Sequence, residues 1–505
     1  MRRNRRAAAA STKLLTPKWR ELKYRYNPIE PLDPDEVELI HTSAMTVLED
    51  VGLRVTDAEA RSILAASGFD VDESDERVRF DRNRVMELVD LAPSQTSIRG
   101  RDPSKRAHIG GGQVALNAVA GPPFVSDLER GRRYGTLEDQ KNLLKLAAQS
   151  DLLQIMGGVC VEAHDLPAET RYLDYYLNCC LLSDKPWKPL TIGLHRAEDA
   201  LRMAEIWYGA TEEQLAADPV FFINTNTNTP LLLDAEIAQG VIRYARAGQP
   251  ITVTPFALAG AMAPVTVAGA LVMQTAETLA ACALVQSVRP GSPYIYGSFV
   301  CNVDMRSGSP AFGTPEGCLG AQASGQMARR YGLPWRAANV TASNAPDAQA
   351  AYESMMSLWG AFSGQAGVFN HGAGWLEGGL VASYEKFIMD LEMLGLMAAW
   401  MDKPAITNAE IGLDAIRQVG PGGHFFGTEH TMERYRTAFY ASELSDWSNF
   451  ENWSEAGSLD AAQRASRLWK EKLAEFESPD LDIAVEEELR DFIDRRKRDL
   501  TIGTA

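Results

Sequence analysis

From about residue 113 the chain alternates short, dense apolar runs with longer stretches whose apolar residues recur every three or four positions. That grammar reads as strand, loop and amphipathic helix in succession. The short runs are QVALNAVAG (113–121), LLQIMGGVC (152–160), KPLTIGL (188–194), VFFINTN (220–226), PITVTPFA (250–257), PYIYGSF (293–299), PWRAANV (334–340) and AGVFNHGAG (366–374). These eight runs recur at intervals of roughly 30 to 43 residues, the length of one βα unit with its loops. Seven helical stretches fall between them, from TLEDQKNLLKLAAQS to AQAAYESMMSLWGAFSG. Eight strands, seven helices and a helical tail predict an α/β chain folded as a (β/α)8 barrel of the TIM type. A doubly wound open sheet is the competing architecture, but it calls for a GxGxxG turn after its first strand, and IGGGQV does not supply one.

The flanks differ from this core. Residues 1–32 open with MRRNRRAAAASTKLL, whose alanine run is too short and too mildly apolar for a signal-peptide core, and read as a flexible basic arm. Residues 33–112 form a helical and mixed section, with acidic residues opening DPDEVELIHTSAMTVLEDVG and Gly52 closing it. The barrel is expected over 113–405, and a helical C-terminal extension over 406–505. The last helices carry charges of both signs, which suits a solvated face.

A formal net charge of -17 argues against a nucleic-acid partner. The six cysteines lie in apolar contexts without CxxC spacing, so thiols in a reducing compartment are expected, rather than disulfides or a metal site. No run reaches the roughly 18 uninterrupted apolar residues of a membrane span. A cytoplasmic enzyme with no membrane role is the expectation.

In a barrel the chemistry sits at the C-terminal strand ends. Those ends carry Asn117, Gly157, His195, Asn224, Asn226, Thr254, Tyr296, Asn339 and His371, a set rich in amides and aromatics and poor in paired carboxylates. His371 is the credible titrating group there. Glu277, in an apolar helix, would need a partner, and the two form the candidate catalytic pair. Phe256, Tyr296, Phe299, Trp335, Phe369 and Trp375 could together cage a quaternary ammonium. In VTPFALAGAMAPVTVAGALVMQTAE the small residues Gly260, Ala263 and Gly269 would leave room for a bulky planar group at the barrel mouth. For each residue a structural reading competes: strand-end asparagines cap loops, and aromatics fill cores.

Several segments in fixed order then carry more than periodicity. PFALAGAMAPVTVAGALVMQTAE, YGSFVCNVDMRSGSPAFGTPE, YGLPWRAANVTASNAPDAQAAYE and HGAGWLEGGLVASYEKFIMDLEMLG resemble the trimethylamine methyltransferase superfamily over roughly residues 30–470. The resemblance implies a TIM-barrel methyltransferase that moves a methyl group from a methylated amine to the cobalt of a corrinoid carried by a small partner protein, with no cofactor tightly bound to this chain. Trimethylamine-specific relatives carry pyrrolysine near the position of Asn339–Val340, where this chain has standard residues, together with Ala342 and Asn344. It therefore resembles the non-pyrrolysine branch, which demethylates quaternary amines such as glycine betaine. Arg336 is the natural fork for a carboxylate tail, with His371 as a second donor and Asn224, Asn226 and Asn339 as further substrate contacts. The alternatives are another methylated donor (a sulfonium zwitterion, another betaine or trimethylamine itself) and a non-catalytic betaine-binding barrel. A homo-oligomer is expected.

Overall fold

The computed structural model describes residues 19–503. The flexible arm expected over 1–32 therefore lies outside the described residues as far as residue 18. Further on, Leu22–Lys23 pairs antiparallel with Gln113 and Val114.

The fold is mixed α/β, built on a curled, largely parallel sheet surrounded by helices. Six parallel strands form it: β1 (Gln113–Leu116), β2 (Ile223–Asn226), β3 (Ile251–Thr254), β4 (Tyr294–Gly297), β5 (Trp335–Ala338) and β6 (Val368–Asn370), in the order β2-β3-β4-β5-β6-β1. The runs at 152–160 and 188–194 do not form strands. The first touches the sheet through a single bridge, Ile155 with Asn117, and the residue just before the second, Trp187, bridges Phe221 ahead of β2. The expected helices are present as α1 (Leu137–Gln149), α2 (Arg171–Leu182), α3 (Leu194–Tyr208), α4 (Ala235–Arg246), α5 (Val267–Val288), α6 (Pro315–Arg330), α7 (Ala348–Ser363) and, in the tail, α8 (Tyr384–Met401).

Strand alternation divides the core in two. On the concave face, Ala115, Phe222, Ile295 and Val368 join Ile155 and the hairpin residues Ile98, Ala107 and Ile109 in one dry cluster. That hairpin (Gln95–Arg99 with Arg106–Gly110) closes the N-terminal end of the sheet. Residues of the opposite parity, such as Tyr294, Tyr296, Trp335 and Phe369, point outward into the helix layer.

Helix α5 is long and apolar enough to cross a membrane, yet its most apolar window is 72% buried. The N-terminal helices Pro34–Thr46 and Arg82–Val89 pack across it. Its uniform apolar character is that of a helix covered on all sides. The C-terminal helix Ala461–Ala474 packs on α8, with Trp469 stacked on Tyr384 at 4.5 Å between ring centroids. The last helix, Ile483–Gly503, clamps α2 and α3 through Lys497–Asp174 (2.6 Å) and Arg496–Asp199 (2.8 Å).

Candidate functional site

At the C-terminal ends of the strands lies a cavity of about 520 Å³. One wall is aromatic. Phe256, Phe299, Phe312 and Trp375 follow one another with centroid separations of 5.1, 5.9 and 6.2 Å, and the His371 ring continues the series 4.3 Å from Trp375. Three of these rings hang from a small sheet (Ala257–Ala259, Val300–Val303, Pro310–Ala311) inserted after the ends of β3 and β4. Such contiguous ring faces attract a cation.

Beside the rings the cavity is basic. Arg336, an inward residue of β5, is 2% exposed, donates Nη1–H to the Ser298 carbonyl at 3.0 Å, and leaves Nε without a partner among the described residues. Its guanidinium lies 5.2 Å from the Phe299 ring centroid. Burial pulls its pKa down to about 9. Glu377, a carboxylate on a nearby loop, binds Arg132 at 2.7 Å rather than Arg336. Lys188, after the Trp187 bridge, sends Nζ to Asn370 Oδ1 at 3.2 Å. Asn224 Oδ1 and Thr254 Oγ1 line the same cavity, buried and without partners among the described residues, and Asn226 stands exposed. Buried polar atoms are nearly always paired, so this set is built to meet a polar ligand or solvent.

His371 is held in a left-handed conformation (φ 59°). Nδ1 accepts from the Ala120 N–H at 3.2 Å, and Nε2 faces Asn370 Nδ2 at 3.0 Å. Burial first, and then the charges of Arg336 and Lys188, hold its pKa well below 6.5, so the ring is neutral at physiological pH. The turn that carries it is tied down from behind. Asn339 donates to Gly372 O (2.9 Å) and to Asp390 (2.8 Å), Asp390 accepts from Gly374 N (2.8 Å), and Lys386 pairs with Asp390 while donating to Ser354 at 2.7 Å.

Of the residues expected at the site, the cavity brings together His371, Arg336, Phe256, Asn224 and Asn226. Five others lie elsewhere. Tyr296, Trp335 and Phe369 occupy outward strand positions. Tyr296 hydrogen-bonds Thr275, Trp335 donates to Gln365 O, and Phe369 packs on Phe362. Asn339 is a strut behind His371. Glu277 does not reach the cavity. It accepts from Thr227, from Thr229 (2.8 Å) and from Leu231 N (2.8 Å), and so fixes the loop after β2.

The small residues offered for clearance serve local turns. Gly260 has φ +96° and bonds Ala263 O, and a Cβ at Gly269 would come within 2.5 Å of Pro264. A leucine at 260 would strain that turn through its positive φ, although the nearest atom to its Cβ stands 3.4 Å away. The glycines that border the cavity are Gly121, Gly158, Gly378 and Gly379. Phe299 and Trp375, expected in the aromatic cage, do line the cavity, whereas sequence reasoning did not place Lys188 or Phe312 there.

Burial favours the neutral acid of Glu277 and raises its pKa. A raised folded-state pKa means that the stability it contributes declines as pH rises from the ordinary carboxyl range through that pKa. Glu277→Gln keeps the acceptor for Leu231 and is neutral at every pH. We expect wild-type turnover and a flatter decline of stability with pH, read by thermal unfolding at a series of pH values. Lost turnover with unchanged stability would return Glu277 to the catalytic set.

An α/β fold with an aromatic and cationic cavity at its strand ends has the form of an enzyme for small charged molecules. The chain belongs to the trimethylamine methyltransferase (MTTB) family, whose model matches residues 1–501. It is 35% identical over 470 residues to the glycine betaine methyltransferase of Desulfitobacterium hafniense (strain Y51), covering 93% of this chain and 97% of that one. It is 31% identical over 440 residues to the trimethylamine methyltransferase MttB of Desulfitobacterium hafniense (strain DSM 10664 / DCB-2), covering 85% and 86%. Among solved structures, the Methanosarcina barkeri monomethylamine methyltransferase (MtmB) aligns over 91% of each chain with 9% identity and a TM-score of 0.48.

Proposed function

We propose that this methyltransferase takes a methyl group from a quaternary amine with an anionic tail, of the glycine betaine kind, and delivers it to the Co(I) of a corrinoid held by a partner protein. The observation that carries the reading is a cavity in which an aromatic wall adjoins a buried arginine with no carboxylate partner among the described residues. The 35% identity to a glycine betaine methyltransferase points the same way. When bound, the reduced corrinoid supplies the nucleophile that accepts the methyl group.

The remaining tasks fall to this chain. Phe256, Phe299, Phe312 and Trp375 hold the N-methyl groups and exclude water. Arg336 engages the carboxylate and so fixes the direction of the C–N bond to be broken. The leaving group is a neutral amine, so no acid is required at the nitrogen. His371, neutral and held at both ring nitrogens by Ala120 N and Asn370, continues the ring wall without adding charge. Asn339, which the resemblance sets against the pyrrolysine position, is locked to Asp390 and Gly372. That supports a donor already activated by its quaternary charge.

The face of the corrinoid partner is set at the mouth of this cavity, where Gly121, Gly158, Gly378 and Gly379 form part of the lining and nothing lies within 4 Å of a Cβ built on Gly121. Beside the opening, around Gly260, the side chains of Met262, Val265 and Met305 are 38%, 67% and 71% exposed. We assign docking of the corrinoid protein to this apolar rim, in place of the glycines themselves.

The runs at 152–160 and 188–194 are read as the second and third strands of a complete (β/α)8 barrel over 113–405, a closure supported by their bridges and by the Met156 N to Pro186 O bond. Large apolar side chains of the C-terminal extension, among them Ile406, Phe426, Phe439 and Trp447, are 72–86% exposed, which supports a homo-oligomer. Six free, buried thiols support a cytoplasmic setting.

The test is a donor panel of glycine betaine, other betaines, a sulfonium zwitterion, choline and trimethylamine. It is read by calorimetric binding and by the Co(I) to methyl-Co(III) spectral change with the corrinoid protein. Betaines should bind and react, and a panel in which trimethylamine alone reacts would overturn the reading. Binding without transfer under any condition would identify a betaine-binding protein. In the same assay Met262→Glu with Met305→Glu should keep betaine binding and lose transfer to the partner by about tenfold or more.

A further inference from the structure

The cavity holds a second buried cation that betaine recognition by Arg336 alone does not use. Lys188 is 7% exposed, and its stem lies over Gly158, where a Cβ would stand 3.5 Å from Lys188 Cδ. Tyr175 fixes its backbone by donating to Lys188 O at 2.7 Å. Its only bond at Nζ among the described residues is the one to Asn370 Oδ1.

Four charged or titratable groups face it. These are Arg336 on β5, His371 after β6, the Cys160 thiol, and Glu162, which is occupied by Arg171 at 2.8 Å. The amide of Asn370 cannot serve both its neighbours. Because His371 Nδ1 accepts from Ala120 N–H, Nε2 carries the ring proton, and Asn370 presents a donor to a donor there. If the amide turned, its oxygen would satisfy the imidazole and its nitrogen would face Lys188, an arrangement that suits only a neutral lysine. A carboxylate between Arg336 and Lys188 would favour the opposite state, with Lys188 charged.

We propose that Lys188 is a second anchor for the anionic tail of the substrate, neutral in the empty site at mildly alkaline pH and charged when a carboxylate binds, so that substrate binding there takes up a proton. This rests on the betaine reading above. It narrows the substrate class to zwitterions whose anionic group reaches both cations, and it disfavours quaternary amines without an anion. In the empty site, burial and then the charge of Arg336 bring Lys188 down to about 7. Lys188 is a positioning residue for the substrate and takes no part in bond breaking.

The experiment is isothermal titration of the full chain with glycine betaine at pH 6 and pH 8, in buffers of different ionisation enthalpy. We expect uptake approaching about one proton at pH 8 and little at pH 6. Lys188→Met should abolish the uptake and weaken glycine betaine binding roughly ten- to a hundredfold, while choline binding stays level or improves. Wild-type uptake does not depend on how the variant folds, and thermal unfolding of the variant checks that it does.

Binding with no proton uptake at pH 8 overturns the proposal and leaves the betaine reading intact. Uptake that persists in Lys188→Met and is larger at pH 6 would assign the proton to His371 and overturn it equally. If no zwitterion of the panel binds at all, the betaine reading falls and this inference falls with it.

Discussion

Arg336→Ala should lower kcat/KM for glycine betaine by roughly 30- to 1,000-fold, equivalent to about 2–4 kcal/mol, while donors without a carboxylate lose little. The guanidinium is buried, bound to the protein through one N–H to Ser298 O, and free of any acidic partner among the described residues. A cation left unpaired in a low-dielectric wall costs stability unless a ligand completes it. For that reason the alanine variant should fold at least as well as wild type even as it loses substrate.

Arg336→Lys should not rescue. A lysine cannot keep the bond to Ser298 O and present a planar fork to a carboxylate at once. If the loss falls in KM with kcat intact, the arginine binds ground state and transition state alike. If kcat falls in proportion, it aligns the C–N bond for displacement. Wild-type kinetics on glycine betaine in Arg336→Ala would remove the carboxylate fork from the site.

Much of the frame could be read from the chain, and the failures have physical causes. Within the six runs, the segments that became strands, such as Ile251–Thr254, Tyr294–Gly297 and Trp335–Ala338, contain no proline. LLQIMGGVC carries Gly157-Gly158 at its centre, and Pro186 and Pro189 flank the bridge at Trp187, so a donor is missing on either side of it. Proline cannot complete a ladder, which leaves bridges where ladders were expected. Within the site, the period of two was the overlooked signal. Trp335 and Arg336 are adjacent on one strand, as are Phe369 and Asn370, and neighbours on a strand cannot both face the same cavity. Choosing Arg336 should have excluded Trp335.

Lys188 was passed over because lysine is ordinarily a solvent residue. Phe312 comes from an inserted hairpin whose position after β4 has no periodic signature. The segment VTPFALAGAMAPVTVAG was read correctly as unusual but assigned to clearance. Its glycines shape a turn and a helix cap, and its aromatic Phe256 is the part that reaches the cavity.

The site also depends on a charge pair that touches no substrate, and here the largest effect on stability is expected. Asp390→Ala should destabilise the fold by about 3–5 kcal/mol, because it leaves the Lys386 ammonium buried without its carboxylate. Both side chains are fully buried, and burial opposes the charged form of each, lowering Lys386 and raising Asp390, while their pairing works against both shifts. The same substitution strips partners from Asn339 and from Gly374 N, so the turn that sets His371 at φ 59° loses its rear support. Lys386→Met combined with Asp390→Leu removes both charges and should recover much of the stability, since an apolar pair of similar volume replaces a costly buried ion pair. It should not recover turnover, because Asn339 and Gly374 stay unsupported. Thermal unfolding and methyl transfer measured on the single and double variants separate the two roles. Restored stability with restored turnover would show that the pair serves packing alone, and that the left-handed turn at His371 is held by Gly372 and Gly374 without help from behind.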